Sequence, residues 1–594
     1  MIAALLVLAV TLATVVVGVL GVRTARTLAN FYVAARTVGP VWNAYAVCGE
    51  YLSAGTFLGL AGLVMVFGVD MLWFPVGYTA GYLVLLVFVA APLRRFGAYT
   101  IPEFAQDRLE SPRIRRVAAV FVLVIGWLYL LPQLKGAGIA LQAIAGTPYW
   151  VGVVVVGAVV TMNIAAGGMR GITYVQAFQF WVMVVAISVP AIVLLGHWQQ
   201  DDVPALGSDE PLRFASATTV EFERDLTIEA GSGLDMEVEG TIDGAAITGP
   251  TRIRGRHTIG SGTTVTFPRG AVIPAGAAQP ILDGATWMRP LTGGPGSEHP
   301  VYFVYSIILA TFLGTMGLPH ILVRFYTNPD GVKARRTTLI VLGLLGLYYV
   351  WPPVYGALGR LYAPEVLVTG ATDSIVLTLP ERVFPGLLGQ TLGGVVAAGA
   401  FAAFLSTASG LLISVTGAIS HDVLRGGVGT FRRAAWAAGA VSIGLGLLAE
   451  PFHINVMVGW AFAIAASAFC PLLLLGIWWR QLSAAGAMAG LVAGGGLATA
   501  AIVTTMVLGP TRGWAGALLA APAAWTVPLA MATAVAVSLR TPEAVPSRVG
   551  ALFARMHEPE GIRARRLRAT EPVRHPRPDV ARETSALDEL GGGV

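Results

Sequence analysis

Adjacent hydroxyls at Ser406 and Thr407 lie deep in an apolar run, with Ala403 one helical turn before Thr407 on the same face. Neutral oxygens around a small gap suit a hard monovalent cation that must also leave again, because passage across a membrane needs binding that is favourable but weak. The same residues allow another reading, in which both hydroxyls bond back to carbonyls three or four residues earlier, as Ser and Thr commonly do in membrane helices. Both readings stand at this point.

Lys135, in Leu131-Pro132-Gln133-Leu134-Lys135-Gly136, is one of only two lysines in the chain and falls near the middle of another apolar run. An ammonium at membrane depth costs at least about 3 kcal/mol, so it faces a cavity or pairs with an acid. It could be the counter-charge of an anionic solute or a proton-coupling group, or it could form a fixed ion pair that locks helices; Glu50 is the nearest candidate partner. Gln133 could donate to a carboxylate from the same helix, beside a ladder loosened by Pro132. His320 and Arg324 read as gating or headgroup-facing residues. The chain has no Walker A loop, no acid pair placed for general acid–base work, and no metal-ligand spacing at His421-Asp422. No enzyme signature is present.

The elements that position these residues are membrane helices. Of 594 residues, 55% are hydrophobic and 12% charged, unlike a soluble domain. Apolar stretches near residues 1–22, 40–66, 70–92, 117–145, 149–166, 173–196, 302–325, 337–359, 386–420, 434–449, 454–478, 484–509 and 517–538 predict an all-α membrane protein of about thirteen spans. Met1–Val22 lacks a basic leader and reads as a retained span. Gly-interrupted spans imply a cavity or ion site, and two qualify: Cys48-Gly49-Glu50-Tyr51-Leu52-Ser53-Ala54-Gly55-Thr56-Phe57-Leu58-Gly59 and Thr311-Phe312-Leu313-Gly314-Thr315-Met316-Gly317-Leu318-Pro319. Each opens a block of five spans, as an inverted repeat would.

Alternate connectors carry the arginines: Arg23, Arg26 and Arg36; Arg94 through Arg116; Arg170; Lys333, Arg335 and Arg336; Arg425, Arg432 and Arg433; Arg480; and the tail. The positive-inside rule then puts the N-terminus outside and the C-terminus in the cytoplasm of an inner-membrane protein. The net charge of +6 is spread over these connectors, which suits a lipid bilayer and excludes a nucleic-acid partner. Cys48 and Cys470, the two cysteines, imply no disulfide framework. The organisation expected is a first span and loop (1–39), a first five-helix repeat (40–196), an acidic extracytoplasmic β-rich insertion (197–300), a second repeat (301–478), additional spans (479–540) and an Arg-rich cytoplasmic tail (541–594). Alternating stretches at Thr219–Glu223 and Thr263–Phe267 carry the β expectation. A small membrane partner is left unassigned.

Several motifs in order resemble the sodium:solute symporter family: Phe31-Tyr32-Val33-Ala34-Ala35-Arg36, Gly167-Gly168-Met169-Arg170-Gly171-Ile172-Thr173 with Gln176, and Ala403-x-x-Ser406-Thr407 with Asp422. Glu50-Tyr51-Leu52-Ser53-Ala54 with Phe57-Leu58-Gly59, and Gly317-Leu318-Pro319-His320 through Phe325, look most like its acetate and short-monocarboxylate branch. The resemblance covers roughly Phe31 to Trp479. It implies a leucine-transporter-like 5+5 core in which the carbonyls of Gly49, Leu52 and Ala403 and the hydroxyls of Ser406 and Thr407 hold a sodium ion, the coupling ion. Tyr51 and Ser53 would border the substrate cavity, with Glu50, Gln133 and Lys135 as further substrate-side residues. Tyr51 stands where the proline-transporting branch has an aspartate, which favours a small carboxylate over an amino acid. The expected function is therefore sodium-coupled uptake of acetate, propionate, pyruvate or a similar acid. Proton coupling through Lys135 or Glu50, and a membrane solute sensor with an outer β domain, are the alternatives.

Overall fold

The computed structural model describes residues 2–22, 37–201, 206–208, 210–276, 281–293, 298–509, 511–560 and 562, with backbone only at 19–22, 167–168, 170 and 232. The Phe31–Arg36 motif, the arginines of the first loop and those of the tail from Arg563 lie outside the described residues, as do the side chains of Gly167, Gly168 and Arg170. The described residues up to Met556 form one compact unit, and the described residues 557–560 and 562 fall outside it.

Ten helical stretches among the described residues are long and apolar enough to cross a membrane, and helix runs through every span expected from the sequence. The elements that build the site are α1 (Ile2–Val22), α2 (Pro40–Tyr51), α3 (Leu60–Phe67), α4 (Trp73–Val84), α5 (Pro112–Ala145) and α6 (Tyr149–Trp198). After the β segment come α7 (Pro300–Thr315), α8 (Pro319–Tyr326), α9 (Gly331–Tyr348), α10 (Trp351–Tyr362), α11 (Leu387–Gly417), α12 (Val428–Leu447) and α13 (Ile454–Trp478). Helix α6 runs on through residues 167–172, where the sequence suggested a connector. Helix α11 is the bundle's axis: almost every residue from Leu392 to Gly417 is buried, and it packs on α5, α6 and α1. Its Gly, Ala and Leu residues form no one-sided stripe, because a helix buried on every side must be apolar all round.

Two helices are interrupted, as their glycines suggested. At 12 residues α2 spans about 18 Å, too little to cross a bilayer alone, and it continues past a break into a π-turn at Gly55–Gly59 and then α3. Helices α7 and α8 are separated by Met316-Gly317-Leu318. Small residues let these breaks approach their neighbours: a Cβ on Gly317 would collide with the Ala465 carbonyl.

Residues 218–276 hold a five-stranded sheet ordered β1-β4-β2-β3, with β5 (Ala275–Gly276) beside β2. Strands β1 (Thr218–Phe222) and β4 (Thr263–Phe267) pair antiparallel, Val220 opposite Val265, which are the two alternating stretches seen in the sequence. Strands β2 (Leu226–Ile242) and β3 (Ala245–Ile259) join through Asp243-Gly244, both at positive φ (50° and 81°), the conformation a tight hairpin turn favours. Phe222, Ile228, Val238, Val265 and Phe267 form its small core, and the chain on either side of β1–β4 meets where Arg213 bridges Val272. Past the sheet, residues 282–293 clasp the bundle. Trp287 Nε1 donates to the carbonyls of Val64 (2.8 Å) and Met65 (3.2 Å) at the end of α3. Asp70 accepts from Thr292 Oγ1 at 3.0 Å and Gly293 N–H at 2.7 Å. Arg360 of α10 donates to the Leu282 carbonyl and lies over the Trp287 ring.

Candidate functional site

The break after α2 has a definite cause. Ser53 N–H donates to Thr56 Oγ1 (2.8 Å) and Ala54 N–H to Gln133 Oε1 (2.8 Å), so the amides that would cap the Gly49 and Glu50 carbonyls are diverted. Leu52 leaves the helical conformation (ψ 96°). The unwound stretch is thus Leu52–Ser53, and Ala54 is already back in the helical conformation; Gly49 stays helical, and its carbonyl is released because its donor lies beyond the break.

Helix α11 meets this break with its hydroxyls. Thr407 Oγ1 donates to the Leu52 carbonyl at 3.3 Å. Ser406 Oγ is buried without a hydrogen-bond partner among the described residues, and a Cβ on Gly49 would sit 3.3 Å from it. Gln176 Nε2 donates to the Ser406 carbonyl at 2.8 Å. Ala403 is fully buried one turn before Thr407. Neither hydroxyl bonds back to its own helix, whereas Ser409 Oγ does, to the Leu405 carbonyl at 2.6 Å. The back-bonding alternative therefore fails for Ser406 and Thr407, and Gly49, Leu52, Ser406 and Thr407 stand together as an oxygen-lined contact.

The two breaks are tied by Tyr51 Oη and Thr315 Oγ1, 2.8 Å apart, and Tyr129 Oη donates to Ser53 Oγ at 3.3 Å. Gln133 accepts from Ala54 N–H and donates one of its two amide hydrogens to the Tyr129 carbonyl at 3.3 Å, so it pins the break and keeps a second donor.

Glu50 and Lys135 are not partners. Glu50 pairs with Arg324, both side chains fully buried, and Arg324 also donates to Thr173 Oγ1 (2.8 Å) and Gln176 Oε1. Arg324 and His320 face neither headgroups nor solvent; they are 0% and 1% exposed. Glu50 Oε1 lies so close to Gly410 that a Cβ there would collide with it. Lys135 is two residues beyond Gln133, about 200° around the helix, and so points away from the break: Nζ donates to the Phe452 carbonyl at 2.5 Å and pairs with Asp373 at 3.7 Å. It lines a cavity of about 400 Å³ shared with Arg224, Glu221, Glu223 and Glu450 at the edge of the sheet. Replacing Lys135 by Met should lower the unfolding temperature by stranding the buried Asp373, and leave the KM for the transported solute unchanged; a tenfold rise in KM would return Lys135 to the substrate site.

At the far end of α11, Asp422 accepts from Thr100 Oγ1 and Arg115 Nε, each at 3.0 Å. Beside it Glu103 pairs with His421. Burial opposes the charge of Glu103, but hydrogen bonds from His421 and the Tyr99 N–H outweigh that and hold its carboxyl below the usual value. Neither this anchor's partners nor the Arg324 network is expected from the sequence. In the sequence Tyr349, near a span end, reads as packing or interfacial anchoring, although Tyr78 and Tyr82, one turn apart on α4, signal a polar face inside the bundle.

A family model for the sodium:solute symporter family matches residues 31–199 and 278–494. The chain belongs to the sodium:solute symporter family. The match to this symporter resumes at residue 278, leaving the sheet outside it. The symporter is 28% identical over 523 residues to YwcA, an uncharacterised symporter of Bacillus subtilis strain 168, covering 85% of this chain and 86% of that one. It is 29% identical over 615 residues to an uncharacterised symporter of Cupriavidus necator, covering 87% and 89%. A substrate-bound, outward-open Na+-coupled sialic acid symporter superposes with a TM-score of 0.61 at 13% identity, covering 90% of this chain and 98% of that one. The fold is therefore that of a helical membrane transporter.

Proposed function

We propose that this symporter couples sodium entry to uptake of a small monocarboxylate of the acetate, propionate or pyruvate type. The observation that carries the sodium half is the meeting of Ser406 and Thr407 with the break at Leu52, where a partnerless hydroxyl faces carbonyls released from a helix end. Five neutral oxygens, from Gly49, Leu52, Ala403, Ser406 and Thr407, form a weak, reversible seat for a monovalent ion. The ion displaces the Thr407 to Leu52 hydrogen bond, which links its arrival to the geometry of the break. Alternating access follows in a leucine-transporter-like 5+5 inverted repeat, in which one five-helix block rocks against the other around a site near the bilayer midplane. The arginine distribution supports a cell-membrane protein with its N-terminus outside, its C-terminus in the cytoplasm and residues 197–300 on the extracytoplasmic side.

The carboxylate half rests on the resemblance of the Glu50–Gly59 and Gly317–Phe325 strings to the monocarboxylate branch and on Tyr51 in place of an acid. The test is accumulation of radiolabelled acetate in proteoliposomes. An inward sodium gradient should drive uptake at least about tenfold above a choline gradient, the change expected from adding one ion gradient of about 1.4 kcal/mol. Equal uptake in choline that collapses with a protonophore would overturn sodium coupling, and no flux of any short acid would overturn the substrate class.

A further inference from the structure

Beside the two helix breaks lies a connected set of rings drawn from elements distant in sequence. Tyr51 packs on Tyr82 with centroids 4.9 Å apart, Tyr78 on Phe462 at 4.9 Å, Tyr129 on Phe462 at 5.7 Å and His320 on Tyr129 at 5.4 Å. Each of these six side chains belongs to a residue no more than 1% exposed. Their polar atoms are not spent on one another. Both ring nitrogens of His320 and the hydroxyls of Tyr78, Tyr82 and the adjoining Tyr349 have no hydrogen-bond partner among the described residues. Buried polar groups in folded proteins are almost always paired, so five orphans in one ring cluster call for an occupant.

The chemistry of the orphans selects the occupant. Three phenols and one imidazole N–H are four donors, matching the four lone-pair positions of a carboxylate. Among the described residues, Glu50 is closed by Arg324 and Lys135 by Asp373, so this seat contributes hydrogen bonds and no full positive charge. The rings that carry the donors also present apolar faces, and packing this tight favours a solute whose remaining bulk is a methyl or ethyl group.

We propose that His320, Tyr78, Tyr82 and Tyr349 form the carboxylate seat of the transported acid, with neutral donors in place of the lysine or arginine such an anion commonly meets, and with Phe462 and Tyr51 against its short alkyl part. The inference rests on the transport reading above. It makes His320 and the Tyr78/Tyr82 pair the residues that determine specificity, and it gives the anion's compensating charge to the sodium ion that accompanies it.

The test uses the full chain in nanodiscs and proteoliposomes, with acetate as the probe, acetamide as its uncharged isostere, and Tyr355→Phe as a control whose hydroxyl is bonded elsewhere, to the Ile187 carbonyl. In wild type, acetate in the presence of sodium should raise the unfolding temperature and acetamide should not. Tyr78→Phe and Tyr82→Phe each remove an oxygen that has no partner, so the substrate-free variants should melt at or above the wild-type temperature while the KM for acetate rises about tenfold. His320→Leu should do the same, with part of the loss restored in His320→Gln, and half-saturating sodium should stay within about twofold of wild type in all of them. Unchanged acetate KM in His320→Leu and in both Tyr→Phe variants, with wild type transporting acetate, would overturn the seat alone; so would equal binding of acetate and acetamide. Wild-type vesicles that take up no short acid would overturn the transport reading, and the seat with it.

Discussion

Changing Glu50 to Ala should cost about 3–5 kcal/mol of stability and abolish transport, because it leaves the Arg324 guanidinium charged, fully buried and without its carboxylate. Thr173 and Gln176 still accept from Arg324, but two neutral acceptors do not replace an anion at a fully buried position. The loss should appear as a large fall in unfolding temperature of the purified protein and as poor yield in the membrane. The pair is tied to transport by position. Glu50 is in the last turn of α2, two residues before the break, and Arg324 is in the second turn of α8, past the second break. The ion pair therefore joins the two interrupted helices. Replacing both partners at once, Glu50→Gln with Arg324→Met, should recover most of the stability, since a buried pair replaced as a pair is close to neutral, yet leave uptake impaired because the two breaks are no longer locked together. Recovery of full uptake in the double variant would reduce the pair to a packing device.

The second large effect is expected at α11. With Ser406 and Thr407 both changed to Ala, sodium stimulation of uptake should disappear. Each lost oxygen ligand is worth about 1–3 kcal/mol, and two together raise half-saturating sodium by about a hundredfold or more. Stability without sodium should respond unequally. Ser406→Ala removes a hydroxyl with no partner and should be neutral or slightly stabilising. Thr407→Ala gives up the bond to the Leu52 carbonyl and should lose about 1 kcal/mol. Thermal unfolding at zero and saturating sodium separates the two roles. If the double variant keeps its sodium stimulation, the ion sits elsewhere.

Much of this arrangement is legible before folding. Glycines beside hydroxyl residues at Gly49–Gly59 and Thr311–Pro319 mark both breaks, and Ser406-Thr407 marks the helix that faces the first of them. The alternating Thr and Val residues of 218–222 and 263–267 mark the strands that pair. What the sequence hides is direction. Lys135 and Gln133 sit in the same stretch, but a rotation of about 200° sends one to the break and the other to Asp373, and no local pattern says which. Glu50 finds Arg324 at a separation of 274 residues, a pairing fixed only once both breaks have been packed side by side. The unwound stretch falls at Leu52–Ser53 for a similar reason: the residues that divert the backbone amides are Thr56 and the distant Gln133, so part of the cause of the break lies outside the motif that announces it.

The sheet and the clasp are joined in sequence but have separate fates. Because Arg213 and Val272 bridge, strands β1 to β4 enter and leave through a single doorway, with only the two residues of β5 following it, like a cassette held at one narrow neck. The hook that follows, with Trp287 on the end of α3 and Asp70 held by residues 292–293, stays fastened when the cassette is gone. The hook, and not the sheet, is what fastens the half-helix beneath it.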